Sequence, residues 1–253
     1  MAGLQRVKRE LSRLHDAIYY RFTFNAKKKS QLTELFTRLY FDSHLAGETF
    51  LDTSWLGVPT YKCPTDLWVY QELLFELRPE IIIETGTLFG GSAYYLASLC
   101  DLIYSGRIIT IDIDDAPKGH PRQKATVSRV RPSHSRITYL LGSSISGAVL
   151  NKVRELTRGV EKILVILDSD HSRDHVLAEL RAYAPLVSVG SYVIVEDTIA
   201  SGHPVLPRFG PGPMEAAEEF LKENHNFTTD RSMEKHLLTF NPRGYLKKIR
   251  SDS

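Results

Sequence analysis

The chain has 253 residues, 42% of them apolar, enough to bury a sizeable core in one large domain or a domain with an appendage. Its 32 Lys and Arg against 30 Asp and Glu leave a formal net charge of +2, which gives no global argument for nucleic acid or an anionic membrane as partner. No run approaches the ~18 consecutive apolar residues of a bilayer-spanning helix, and the start lacks the apolar core of a signal peptide. A cytoplasmic protein without an integral membrane segment is therefore expected. Cys63 and Cys100 lack the spacing of a zinc site or a redox pair and are expected to be reduced and structural.

Leu4, Val7, Leu11, Leu14 and Ile18 recur at spacings of three and four, with Arg6, Lys8, Arg9 and Arg13 between them, the pattern of an amphipathic helix. Such a stripe needs a partner. A membrane surface would suit the basic face, but packing on the rest of the protein or on another subunit is the commoner fate, so a homo-oligomer is expected. Lys27 to Lys29 read as a solvated break before a second helix carrying Leu32, Leu35, Phe36 and Leu39. Residues 43–65 are loop-like, with turn residues at Gly47, Gly57, Pro59 and Pro64, and Asp66 to Leu77 reads as a helix stopped before Pro79. Residues 1–70 are accordingly read as an N-terminal helical extension making oligomer or lid contacts, and 71–253 as the main domain.

Beyond Pro79 the character changes to short apolar runs separated by helical segments. Ile81–Ile83, Ile108–Ile111, Ile137–Leu141, Ile163–Leu167 and Tyr192–Val195 are rich in β-branched residues and apolar at successive positions, as expected of parallel strands covered on both faces. Gly91–Leu99, Ser146–Leu156 and Asp174–Tyr183 are long enough to be the crossover helices. The alternation predicts a doubly wound, Rossmann-like α/β fold. Phe227–Thr229 and Leu237–Phe240 are expected to add an antiparallel pair at the sheet edge.

In such a sheet, ligands bind outside the carboxyl ends of the strands, near the point where strand order reverses. The run Glu84-Thr85-Gly86-Thr87-Leu88-Phe89-Gly90-Gly91-Ser92 follows the first of these strands, and its glycines permit a tight turn and close approach of a cofactor to the backbone. It lacks the Gly-x-Gly-x-x-Gly spacing of a dinucleotide site, which lowers the case for NAD. Asp112, at the next strand end, is placed to accept hydrogen bonds from both hydroxyls of a ribose; a solvated acid or a helix cap is the plainer alternative.

Two further strand ends carry acids: Leu167-Asp168-Ser169-Asp170-His171 and Val195-Glu196-Asp197-Thr198. Clustered carboxylates resist ionising together without a cation, and oxygen ligands favour a hard metal, Mg²⁺ before Ca²⁺ or Mn²⁺. Asp168, Asp170, Glu196 and Asp197 are thus candidate metal ligands, with helix capping by Asp170 and Asp197 as the alternative. His171 beside them is a candidate general base. His203 stays a candidate because it lies in the Gly- and Pro-dense loop Ser201–Pro213, which is placed to fold over an acceptor as a lid.

Several segments resemble the cephalosporin hydroxylase family, whose members look like S-adenosylmethionine-dependent methyltransferases despite the name. They are Thr53-Ser54-Trp55-Leu56-Gly57-Val58-Pro59, Lys62-Cys63-Pro64-Thr65-Asp66-Leu67-Trp68, Leu167-Asp168-Ser169-Asp170-His171 and Phe240-Asn241-Pro242-Arg243-Gly244-Tyr245-Leu246. A more distant likeness is to metal-dependent catechol-type O-methyltransferases, from which Glu196-Asp197 departs by standing where an Asp-Asn pair is usual. The resemblance implies a class I methyltransferase fold, with Glu84, Gly86, Thr87, Gly90 and Ser92 around the methionine and ribose of the cofactor. It also implies Asp112 on the ribose hydroxyls and Ser143 and Ser144 near the adenine. Lys62 and Asp66 would line the acceptor pocket, although a surface salt bridge explains them equally well.

The reading that follows is Mg²⁺-assisted methyl transfer from S-adenosylmethionine to a hydroxyl of a small molecule, sugar or natural product. His171 or a ligating carboxylate such as Asp168 would receive the proton. A metal-dependent hydroxylase and a non-catalytic cofactor-binding module are the alternatives; the first usually needs two histidines and one carboxylate on one face.

Overall fold

The computed structural model describes residues 2–46, 49–115 and 130–251. All five expected core strands are present as β3 (Ile81–Thr85), β4 (Arg107–Asp112), β5 (Ile137–Leu141), β6 (Ile163–Leu167) and β7 (Tyr192–Val195). They run parallel in the order β5-β4-β3-β6-β7, and two antiparallel strands, β9 (Tyr245–Lys248) and β8 (Phe227–Thr229), extend the β7 edge. Chain order reverses between β3 and β6, so the glycine turn after β3 and the acidic turn after β6 stand side by side.

Alternation along each strand explains the continuous apolar runs. Ile82, Ile108, Leu164, Ile166 and Ile194 point to one face, where α3 (Pro64–Leu77) and α4 (Gly91–Leu102) cover them with Leu73, Leu74, Leu96 and Ala97. Ile81, Ile83, Val165, Leu167 and Val193 point to the other, under α5 (Gly147–Leu156), α6 (Arg173–Tyr183) and α7 (Pro213–Glu223). Residues of β3, β6 and β7 are buried whichever way they face, so these strands need no polar side, whereas β5 at the sheet edge is only partly covered. The result is the doubly wound α/β fold expected from the sequence.

Four local expectations differ from the structure. First, β8 pairs with Tyr245–Lys248 instead of Leu237–Phe240. The backbone of the latter stretch is engaged elsewhere: Asp66 accepts from the Phe240 amide at 2.8 Å and from the Thr239 hydroxyl at 2.5 Å. Second, Lys27 to Lys29 are not a break but the first turn of α2 (Ala26–Asp42), which Asn25 caps by accepting from the Lys28 amide at 3.0 Å. Third, the stretch 43–65 contains a hairpin, β1 (Ser54–Trp55) with β2 (Val58–Pro59), turned at Leu56 and Gly57 with positive φ. Trp55 docks it onto α4 by donating to the Ser98 hydroxyl at 3.1 Å. Fourth, the boundary drawn between residues 70 and 71 falls inside α3, whose Val69, Tyr70, Leu73 and Leu74 are core residues.

α1 (Ala2–Thr23) and α2 are much less covered. Val7, Leu11, Leu14 and Ile18 on α1 and Leu32, Leu35, Phe36 and Leu39 on α2 are all exposed, and Thr37 is the buried residue of the two helices among the described side chains. Among the described residues no helix is long and apolar enough to cross a membrane.

Two predictions come from this packing. Gly86 has φ +85, and a Cβ there would lie 1.8 Å from the Asp168 carbonyl oxygen. Gly86→Ala is therefore expected to lower unfolding free energy by several kcal/mol in denaturant titration. Gly147→Ala, where nothing lies within 4 Å, is expected to be neutral or to stabilise by up to ~1 kcal/mol.

The second concerns Asp66, which also accepts from the Tyr245 hydroxyl at 2.8 Å and so ties α3 to the last strand. Burial pushes its carboxyl from 3.8 up to about 7, against the pull of the hydroxyl and amide donors. The native state thus binds more protons than the unfolded state between those values. Asp66's stabilising contribution is complete below about 4 and is lost as pH rises through about 7. Thermal melts of Asp66→Asn should show a flatter stability profile than the wild type across pH 4 to 7; parallel profiles would remove Asp66 as the source.

Candidate active site

The turn after β3 is built around a buried carboxylate. Glu84 is fully buried, accepts from the Thr110 hydroxyl at 2.6 Å and from the Ser92 hydroxyl, and is pushed above its usual range chiefly by burial. Thr87 shares a 2.7 Å hydrogen bond with Thr110. Gly90, at φ +77, starts α4 in the left-handed region, where a Cβ would meet Pro132 and the Tyr139 hydroxyl at 3.1 Å. Glu84, Thr87 and Ser92 therefore brace the turn from beneath, while Gly86 and Gly90 let it pass close to its neighbours.

Asp112 stands at the end of β4 beside that turn. It accepts from the Leu88 amide at 2.8 Å and the Asp114 amide at 3.1 Å, and it pairs with Arg131 at 3.0 Å. Arg131 also donates to the Leu88 carbonyl at 2.9 Å. This arginine went unread in the sequence, because nothing in linear spacing brings residue 131 back to residue 112. Ser143 and Ser144 follow β5. The Ser144 hydroxyl donates to buried Glu179, which also accepts from Ser169 at 2.7 Å, and the Ser143 carbonyl accepts from the Ser146 amide at 2.9 Å. Ser144 thus points toward α6.

The acidic strand ends divide into two groups. Asp168, His171 and Asp197 each offer one atom, and these atoms lie within 4.8 Å of one another. His171 Nε2 is 3.3 Å from Asp197 Oδ2. The two carboxylates at that spacing suit a single hard divalent cation with coordination positions left open, and the imidazole stands within reach of the same point. Glu196 is not in that group: Lys62 pairs with it at 2.6 Å and the Tyr70 hydroxyl donates to it at 2.7 Å. Asp170 is not in it either: its carboxylate accepts from the Ser172 amide at 2.7 Å, and the Ser172 side chain and amide hold it below its usual range. Asp170 thus holds the entry to α6, and Glu196 is bound inward.

Lys62 joins the two groups. It also ion-pairs with Asp168, and it is 4% exposed. Burial alone would pull its ammonium down, but Asp168, Glu196 and Glu84 outweigh it and hold the group above the usual lysine value. Burial in turn pushes Asp168 and Glu196 up, opposed by Lys62. The carboxylate cluster therefore carries its own cation, which the sequence placed only as a pocket or surface residue.

Asp197 has φ +53, unusual for a residue other than glycine, and its amide donates to Asn241 Oδ1 at 3.0 Å. Asn241 in turn donates to the Tyr70 hydroxyl at 3.1 Å. Tyr70 was not singled out from the sequence, and Asn241 appeared only within the Phe240-to-Leu246 segment, without a role. The signal for Tyr70 was that it and Asp66, four apart, share a helix face with the core residues Leu73 and Leu74.

The family described as "Rhamnosyl O-methyltransferase/CmcI" matches residues 48–249. A rhamnosyl O-methyltransferase of Mycobacterium tuberculosis (strain ATCC 25618 / H37Rv) is 41% identical over 176 residues, 69% of this chain and 68% of that protein. A rhamnosyl O-methyltransferase of Mycobacterium leprae (strain TN) is 36% identical over 200 residues, covering 77% and 82%. Among solved structures, CmcI with Mg and SAM superposes at a TM-score of 0.59 with 23% identity, over 80% of this chain and 79% of that one, which is a likeness of fold. On the extent of these matches, the chain belongs to the rhamnosyl O-methyltransferase/CmcI family.

Proposed function

We propose that this S-adenosylmethionine-dependent O-methyltransferase acts on a sugar hydroxyl, with Mg²⁺ held by Asp168 and Asp197 and with His171 as the general base. The observation that carries the reading is the convergence of Asp168, His171 and Asp197 on one point at the ends of β6 and β7, beside the glycine turn after β3. The sugar is taken from the printed activity of the mycobacterial relatives.

Bound Mg²⁺ would supply a template and lower the pKa of the acceptor hydroxyl. The protein's part is to hold donor and acceptor in line. Asp112 and the turn from Gly86 to Gly90 bind the cofactor's ribose and methionine. Lys62 fixes Asp168 from behind, so the carboxylate reaches the reaction centre in one orientation. His171 accepts the hydroxyl proton, and the Asp197 carboxylate 3.3 Å away stabilises the imidazolium that forms. A hydroxylase of the two-histidine, one-carboxylate type fits less well, because the cluster holds one histidine and two carboxylates. A silent cofactor-binding module would bind S-adenosylmethionine but transfer no methyl group.

Labelled S-adenosylmethionine with methyl α-L-rhamnopyranoside tests the activity. Chelation should abolish turnover while calorimetry still shows cofactor binding. His171→Ala should lower kcat at saturating Mg²⁺ by roughly 10²- to 10⁴-fold with little change in metal affinity, whereas Asp197→Asn should raise the Mg²⁺ needed for half-maximal rate. Full activity of metal-free protein in chelator would sink this mechanism.

The exposed apolar stripes of α1 and α2 support self-association through the N-terminal helices, since eight large apolar side chains are uncovered there. Light scattering should report more than one chain for the full-length protein and a lower mass once residues 1–24 are removed. A full-length monomer at micromolar concentration would rule this out.

A further inference from the structure

A cavity of about 600 Å³ opens between α2, the loop after β7 and the segment before β9. We propose that it binds a second, uncharged sugar ring attached to the one being methylated, so that the acceptor is an oligosaccharide; this rests on the sugar reading above. Three features of the cavity carry the proposal.

The first is position. Ile199 and Pro242 both line the cavity. Ile199 is two residues beyond Asp197, hence within roughly 7 Å of it along the chain. Pro242 directly follows Asn241, whose side chain accepts from the Asp197 amide. Cavity and reaction centre therefore share one wall, and a unit bonded to a sugar placed at Asp197 lies at the cavity's edge.

The second is charge. The ionised lining residues balance, Lys29 and Arg231 against Glu34 and Glu234, and most are already occupied. Arg231 pairs with Glu234 at 2.6 Å, Glu34 with Arg38 at 3.4 Å, and Lys29 lies 4.7 Å from the centre of the Tyr20 ring. A charged ligand would have to break these pairs, whereas a neutral one need not.

The third is the surface offered. Ser30, Thr33 and Thr37 recur at helical spacing on α2 and bring a stripe of hydroxyls to one side. Met214, Leu237 and Pro242 supply apolar surface. Hydroxyls that both donate and accept, set against an apolar patch, match the alternating O–H and C–H faces of a sugar ring. The volume lies within the ~300–1,000 Å³ range of small-ligand sites.

The probes are methyl α-L-rhamnopyranoside and the methyl glycoside of a rhamnose disaccharide, each with full-length protein saturated with S-adenosylhomocysteine. Saturation-transfer NMR should show both rings of the disaccharide in contact with the protein. Thr33→Trp, which fills the cavity away from the catalytic groups, should weaken disaccharide binding at least tenfold. It should leave methyl rhamnoside and S-adenosylmethionine affinities within twofold of wild type. Ser30→Tyr, at an exposed site on the same helix, should act in the same direction should Thr33→Trp fold poorly. No contact to the reducing-end ring in the wild type, or equal loss for both probes, overturns the proposal. Disaccharide binding without methyl transfer to either probe would instead overturn the catalytic reading and leave the cavity assignment standing.

Discussion

The ammonium of Lys62, buried between Asp168 and Glu196, is the contact on which the site's geometry depends. It arises in the short segment between β2 and α3, outside the parallel sheet, and reaches carboxylates at the ends of two adjacent strands. A carboxylate taken out of water costs several kcal/mol unless paired, and two taken out together also repel. One cation serving both offsets these terms, and it fixes where the segment before α3 must lie. Removing it would leave the buried Glu196 and the partly buried Asp168 without their shared cation, so fold and site are coupled through a single side chain.

The C-terminal segment completes the frame. Asp66 accepts from Thr239, Phe240 and Tyr245, while Asn241 spans from the Tyr70 hydroxyl to the Asp197 amide. Gly244 belongs to the same device: a Cβ there would lie 2.2 Å from the Val195 carbonyl oxygen, so the chain passes β7 at a distance only glycine permits. These contacts hold Asp197 at a positive φ that its own preference disfavours. They also account for the Phe240-to-Leu246 run as a structural brace behind the acidic loop.

How far the sequence was legible follows from what each element's burial demands. Strands β3, β4, β6 and β7 were readable because burial on both faces leaves unbroken β-branched runs such as Ile81–Ile83, and the less covered β5 because its own run is mostly apolar. The edge pair was not, because Leu237–Phe240 and Tyr245–Lys248 are both partly apolar, and a buried acid on α3 decides between them. The acids themselves were visible, yet their division was hidden. Asp168 and Asp170 are two residues apart, and the turn between them sends one toward His171 and the other to the Ser172 amide. Glu196 and Asp197 are adjacent, yet Glu196 meets Lys62 and Tyr70 while Asp197 meets His171. Lys62 was beyond reach, since its partners are over a hundred residues away.

Both ends of the site use one construction. At the end of β4, Asp112 is held by Arg131 and by the Leu88 amide; at the ends of β6 and β7, Asp168 is held by Lys62, and the Asp197 amide is held by Asn241. In each case a strand-end acid is fixed by a group from a different loop. Groups fixed in this way need little reorganisation when charge develops beside them, which is the condition for electrostatic stabilisation of a transition state. The sheet supplies the spacing between the two ends through the registers of β4 with β3, β3 with β6 and β6 with β7. Distance across the site is therefore set by backbone hydrogen bonds, and orientation within it by buried charge.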